Sequence, residues 1–221
     1  MIDFNSNLIE IPRPSEMEDV RKAMVANAVS LIGISASDNL QKMIDILGSV
    51  KGTWDLKRPF RCYQKGGRWI TEGVSTCGLV ARGLWRRMKI DMDSLYYNYI
   101  FGSAISAERM FAIKNRAFLS MDPNSDLIPS PGDYLIIGSG MSTHALTCIG
   151  WNSDTMISVD AGQCDSHNLQ MIKKCKRKWI KKPDGIYLND RKVVGWMELD
   201  KLPFKNENII VPEDWKNVEV I

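Results

Sequence analysis

Histidine is scarce: His144 and His167 are the only two in 221 residues. Any chemistry that needs an imidazole must use one of them. Cysteine occurs five times, as Cys62, Cys77, Cys148, Cys164 and Cys175, at irregular intervals and without a Cys-x-x-Cys pair. That spacing argues against a zinc site, and the odd number leaves at least one thiol free in a monomer rather than building a full disulfide framework. No metal or cofactor is expected. No apolar run reaches the length of a bilayer span, so stable membrane insertion is not expected. The first residues, Met1-Ile2-Asp3-Phe4-Asn5, lack a basic start followed by an apolar stretch, so no secretory signal peptide is expected. Such a chain is made in the cytoplasm, and any export would use a signal-independent route. The net charge of +3 is too mild to argue for nucleic acid. Internal repeats and low-complexity segments are absent.

What is present is an ordinary globular balance, 44% hydrophobic and 25% charged, with seven tryptophans as bulky anchors. The length suits one domain with a substantial core. An extended arm leads to Ile11-Pro12-Arg13-Pro14. Ser15 followed by Glu18 has the spacing of a capping box, ahead of a helical apolar face through about Ile34. Ser37-Asp38-Asn39 caps a second helix that ends at Gly48. Residues 49 to 76 hold no clear helix, Arg61 to Ile70 reads as a loop around Gly66-Gly67, and Met92 to Tyr99 reads as either strand edge or helix. A helix from Ser106 to Phe118 would turn Met110, Phe111, Ile113 and Ala117 inward. After Pro131-Gly132-Asp133 the period changes, and Tyr134–Ile137, His144–Trp151 and Thr155–Asp160 predict an antiparallel meander. Residues 173 to 182, Lys-Lys-Cys-Lys-Arg-Lys-Trp-Ile-Lys-Lys, read as a charge-blunted edge strand or as a patch for an anionic polymer. A last strand covers Val193–Leu199, and the tail from Pro203 reads as irregular.

Gly73-Val74-Ser75-Thr76-Cys77-Gly78-Leu79-Val80 reads as a loop, a cysteine and then a helix, with Ser75 or Thr76 as N-cap. A thiol at that position feels unpaired N–H groups and the positive end of the helix dipole, which favour the nucleophilic thiolate. The alternative is that Cys77 is a small buried hydrophobe. His144 opens a strand just after a Gly/Ser/Thr turn, at a sheet end where it can face a helix start. A histidine base needs an orienting partner. Asp160 lies as far beyond the Asn152 turn as His144 lies before it, which sets the two at the same end of the hairpin. Gln163 takes that place if the register slips. His167, in a polar stretch, reads as a surface residue.

These segments together resemble the NlpC-type cell-wall cysteine peptidases. Cys77-Gly78-Leu79-Val80 is similar to their nucleophile helix, with Thr76 and Gly78 where the family usually has Asp and Ser. Tyr63-Gln64-Lys65-Gly66-Gly67 resembles the Tyr-x-x-Gly-Gly segment before it. Pro131-Gly132-Asp133 and the strand opened by His144 follow in family order. The resemblance covers roughly residues 19 to 163. It implies a papain-like α+β fold, with N-terminal helices and the nucleophile helix packed on an antiparallel sheet. The expected organisation is a single domain over 1–221, its core at about 15–165 and a β-rich elaboration at 166–221. It further implies Cys77 as nucleophile, His144 as base, Asp160 as third residue and Tyr63 at the oxyanion site, with Gln163 as the substitute.

The function so implied is hydrolysis of peptidoglycan stem peptides at a γ-D-glutamyl–diaminopimelate bond. A signal-less hydrolase of this kind also resembles type VI secretion amidase effectors. Those act in the periplasm of a target cell and are restrained in the producer by an immunity protein. A monomer is expected. The alternatives are a papain-like hydrolase, deamidase or acyltransferase acting on a cytoplasmic protein or lipid, and a non-catalytic binding module.

Overall fold

Alternation of side chains from Tyr134 onward builds strands with two differently occupied faces. The computed structural model describes residues 7–47, 62–65, 68–71, 76–93, 104–139, 143–167 and 169–219. The meander is present: β5 (Tyr134–Ile137), β6 (His144–Asn152) and β7 (Thr155–Cys164) run antiparallel. It continues into β8 (Gln170–Lys182), β9 (Gly185–Leu188) and β10 (Arg191–Met197). β10 then pairs with both β9 and β5, and this closes a six-stranded antiparallel barrel. β4 (Phe118–Ser120) adds to the outside of β10.

Closure corrects the expected papain-like α+β fold. The residues after 165 are no appendage, because β8, β9 and β10 supply half of the barrel wall. The basic run lies within the 13-residue strand β8, which pairs with β7 along most of its length and with β9 at its far end, so it is not an edge. β10 serves two neighbours because its register shifts between Val193 and Gly195. Gly195 has φ +156°, and a Cβ there would run into the Leu119 carbonyl of β4, so the kink requires glycine.

The two faces of the wall form separate cores. Leu135, Ile137, Leu146, Met156, Leu188, Val193 and Trp196 fill the lumen, where Trp151, Trp179 and Trp196 stack edge to face at 5.4 and 6.5 Å. Ile136, Ala145, Ile149, Ile157 and Val159 face outward onto the helices.

Helix α1 (Met17–Val29) and α3 (Thr76–Arg87) lie against the outside of β6, with α3 also on β7. The N-cap position of α1 is Glu16, which makes no side-chain cap bond, so Ser15 does not form the expected capping box. α2 (Leu40–Leu47) crosses α3 at Gly83, where a Cβ would meet the Ile46 carbonyl. Asn39 caps α2 by accepting the Lys42 N–H.

α4 (Ala104–Lys114) meets the expectation in part, since Phe111, and Ala117 beyond the helix end, are buried as expected. Met110 and Ile113 are exposed, whereas Glu108 is fully buried. Its carboxylate accepts Arg82 Nε at 2.8 Å and Tyr134 OH at 2.6 Å, and this buried pairing turns the helix. β1 (Leu8–Ile11) pairs with β11 (Ile209–Pro212), so the arm and the tail form a small sheet of their own. The segment read as a loop around Gly66-Gly67 is a hairpin, β2 (Cys62–Lys65) with β3 (Arg68–Thr71). Residues 49–61 and most of Met92–Tyr99 lie outside the described residues.

Candidate active site

Cys77 stands in the first turn of α3 and is 4% exposed. Of the two expected caps, Ser75 lies outside the described residues, and Thr76 is itself held from a distance. Gln170 of β8 accepts both the Thr76 N–H, at 3.1 Å, and the Thr76 hydroxyl, at 2.9 Å, through Oε1. Helix α3 is thereby tied to the barrel wall at its start, the point where free N–H groups favour negative charge. Behind the helix lies the buried Arg82–Glu108–Tyr134 group, which feels the charge of Cys77. Burial pushes the Glu108 carboxyl up to about 8, against the pull of Arg82 and Tyr134.

His144 opens β6 and is 8% exposed. On the alternation of the strand it shares the lumen face with Leu146, and its cross-strand partner is Ile137. Asp160 is fully buried on the lumen face of β7. The His144 Nε2–H donates to Asp160 Oδ2 at 2.7 Å. The two are not directly opposite, as the symmetric count about Asn152 predicts. Thr147 pairs with Val159 after a bulge at Cys148/Gly150, so continuing this register sets His144 two residues off Asp160. The side chains meet on the diagonal, a separation that long side chains bridge.

Asp160 is held by three further hydrogen bonds from two residues. Arg177 of β8 donates from both terminal nitrogens, at 3.1 Å to Oδ1 and 2.6 Å to Oδ2. The Ser158 hydroxyl donates to Oδ1 at 2.6 Å and itself accepts from Arg177 at 3.0 Å. The carboxylate therefore has one oxygen edge left for histidine, and that edge fixes the ring. With Nε2 committed to Asp160, Nδ1 is the nitrogen left to face Cys77, whose thiol hydrogen-bonds the imidazole.

The electrostatics follow from these contacts. Burial disfavours the His144 imidazolium, but the hydrogen bonds to Asp160 and Cys77 and their negative charges outweigh it and raise the ring to about 9. Burial likewise pushes Asp160 up, yet the His144 hydrogen bond and the charges of His144 and Arg177 hold it below the usual carboxylate range. Two other free thiols among the described residues are pushed up. Burial raises Cys148 to about 12 and Cys175 to about 11. A histidine protonated at neutral pH beside a cysteine is the arrangement that supports a thiolate–imidazolium pair.

The remaining candidates divide. Tyr63 lies in β2 opposite Ile70, in a hairpin that runs beside β7; its side chain lies outside the described residues. Gln163 follows a bulge in β7 and pairs with Met171, so the register leaves Asp160 and not Gln163 on the histidine. His167 is exposed in a turn closed by Asp165. Arg177, Ser158 and Gln170 belong to the site although no local motif marks them. Among the described residues no cluster of three His, Cys, Asp or Glu could hold a metal. A cleft of about 750 Å³ opens at the other end of α3, beside Arg86, Arg87 and Lys205, and includes none of the residues around Cys77. No protein-family profile, curated protein or solved structure matches this chain.

Proposed function

We propose that this protein is a cysteine hydrolase of amide bonds in which Cys77 is the nucleophile, His144 the acid–base residue and Asp160 its orienter. One observation carries the reading: the His144 ring is pinned by Asp160 at 2.7 Å while it hydrogen-bonds the Cys77 thiol at a helix start. The Cys77 sulfur attacks the carbonyl and forms a C–S bond. The oxyanion gathers at the first N–H groups of α3, the Cys77 N–H foremost. His144 gives its proton to the departing amine as the C–N bond breaks. Water then attacks the acyl carbon, leaves a proton on His144, and releases the acid with the thiolate restored.

For the substrate we propose the peptide stem of peptidoglycan, at a γ-D-glutamyl–diaminopimelate type of bond. The support is the order of the segments around Tyr63, Cys77, Pro131-Gly132-Asp133 and His144, which resembles that of NlpC-type enzymes, here carried on a closed barrel. A disulfide at Cys164 fits a protein that reaches an oxidising compartment such as the periplasm. An antibacterial effector with an immunity protein plugging the Cys77 site in the producer is consistent with this. Among the described residues no helix is long and apolar enough to cross a membrane. Purified protein is expected to release new amine termini from sacculi, and Cys77→Ala to release none. Equal release by both proteins would overturn the reading.

A second reading keeps the chemistry and changes the acyl donor: a deamidase or acyltransferase acting on an acidic protein. The exposed Lys174, Lys176 and Lys178 in alternate positions of β8 favour it. Rapid labelling of Cys77 at neutral pH together with inactivity on sacculi would select this second reading.

A further inference from the structure

Arg177 was one cation in a row of lysines until the register of β8 turned it inward. Lys174, Lys176 and Lys178 are exposed, while Arg177 pairs with Met156 across the sheet and shares its lumen face. The Arg177 side chain is only 13% exposed. Both of its terminal nitrogens are spent on Asp160, and one of them also reaches Ser158. This is a planar two-point grip that a lysine cannot reproduce.

The charges in this corner show what such a grip does. A thiolate at Cys77 and a carboxylate at Asp160 place two negative charges around one imidazolium at His144. Burial makes an unbalanced charge costly. The groups that face this cluster come from every element around it: Arg177, Cys175 and Lys173 on β8, Arg191 on β10, and the Arg82–Glu108–Tyr134 group behind α3. Arg82 is bound to Glu108 at 2.8 Å behind α3 and away from Asp160. Arg191 adds positive charge and is half-buried at the start of β10. Arg177 is the cation in contact with both Asp160 oxygens.

We propose that Arg177 is a positioning residue that supplies the counter-charge for the Cys77–His144–Asp160 group and fixes the Asp160 carboxylate in the orientation that presents His144 to the thiol. It acts through Asp160 and touches no substrate. The inference rests on the cysteine-hydrolase reading above, and the test separates the two.

The rate at which iodoacetamide alkylates Cys77 is followed against pH by peptide mass spectrometry. Cys148 serves as a slow internal reference. Thermal unfolding is recorded for each variant. The unaltered protein is expected to alkylate Cys77 rapidly at pH 7. Arg177→Met is expected to slow that reaction about tenfold or more, with the inflection moved up by at least about one pH unit. Arg177→Lys, which keeps a charge but loses the two-point grip, is expected to move it part of the way. If the unaltered protein reacts no faster than an ordinary thiol, the hydrolase reading fails and this inference with it. If the unaltered protein reacts fast and Arg177→Met reacts equally fast, only the role of Arg177 is overturned. Should Arg177→Met not fold, Arg177→Lys decides, and a lysine variant that titrates like the unaltered protein overturns the proposal.

Discussion

His144 titrates in a window set by its two neighbours, and both stability and activity should report it. Its folded value of about 9 lies above the 6.5 of a free imidazole. The folded protein therefore holds the proton more tightly than the unfolded chain does. The resulting stabilisation, on the order of 3 kcal/mol, is fully present below about pH 6.5 and is lost as pH rises to about 9. Chemical denaturation across this range should show stability falling with pH, and His144→Gln should flatten the part of the curve between pH 8 and 9. Activity, measured as kcat/KM, should likewise decline above about pH 9, where the leaving amine no longer finds a proton. Cys77, His144 and Asp160 were legible in the sequence because each depends on something local, a helix start or a single hairpin. The register count that paired His144 with Asp160 was two residues off, and the diagonal contact across the bulge still joined them. Arg177 was not legible. Within Lys-Lys-Cys-Lys-Arg-Lys-Trp nothing distinguishes an inward cation from its outward neighbours until the pairing with Met156 is known.

At the scale of elements, the start of α3 is the joint that places Cys77. Its first N–H is held from 94 residues away, a contact no local pattern around Thr76 announces. Gln170→Ala leaves the buried Thr76 N–H and hydroxyl without that acceptor. It should cost about 1–2 kcal/mol in urea denaturation, in line with lost helix caps and unsatisfied buried donors. The same variant should slow alkylation of Cys77, because the sulfur is no longer held at one distance from His144. Normal Cys77 reactivity in a destabilised Gln170→Ala protein would confine Gln170 to a structural role. The partly misjudged face of α4, where Glu108 rather than Met110 and Ile113 is buried, makes a related point. Helical periodicity ranks Glu108 as a solvent residue, and only the partners Arg82 and Tyr134, brought by other elements, make its burial tolerable.

At the scale of the molecule, the sequence reading located six of the seven segments from Ser106 to Leu199 that form α4 and the barrel's longer strands, yet assembled them as an open sheet. Closure depends on β10 meeting β5, more than fifty residues earlier, as well as β9 beside it. No local pattern encodes that double pairing; the one trace of it is Gly195. Gly195→Ala combines an unfavourable backbone angle with a collision against β4. It is expected to cost on the order of 2–3 kcal/mol by thermal unfolding, with the near-ultraviolet signal of the Trp151–Trp179–Trp196 group weakened. A stability unchanged from the parent would show that the barrel seam relaxes freely. The two faces of β8 carry a last consequence. Because successive residues point alternately into and out of the lumen, the strand obeys a rule of parity. Inserting or deleting one residue between Asp160's partner Lys173 and Arg177 would carry lysines into the barrel and send the arginine into water, whereas a change of two would restore every assignment. Length variation in this strand should therefore be tolerated in even steps and lethal to the site in odd ones.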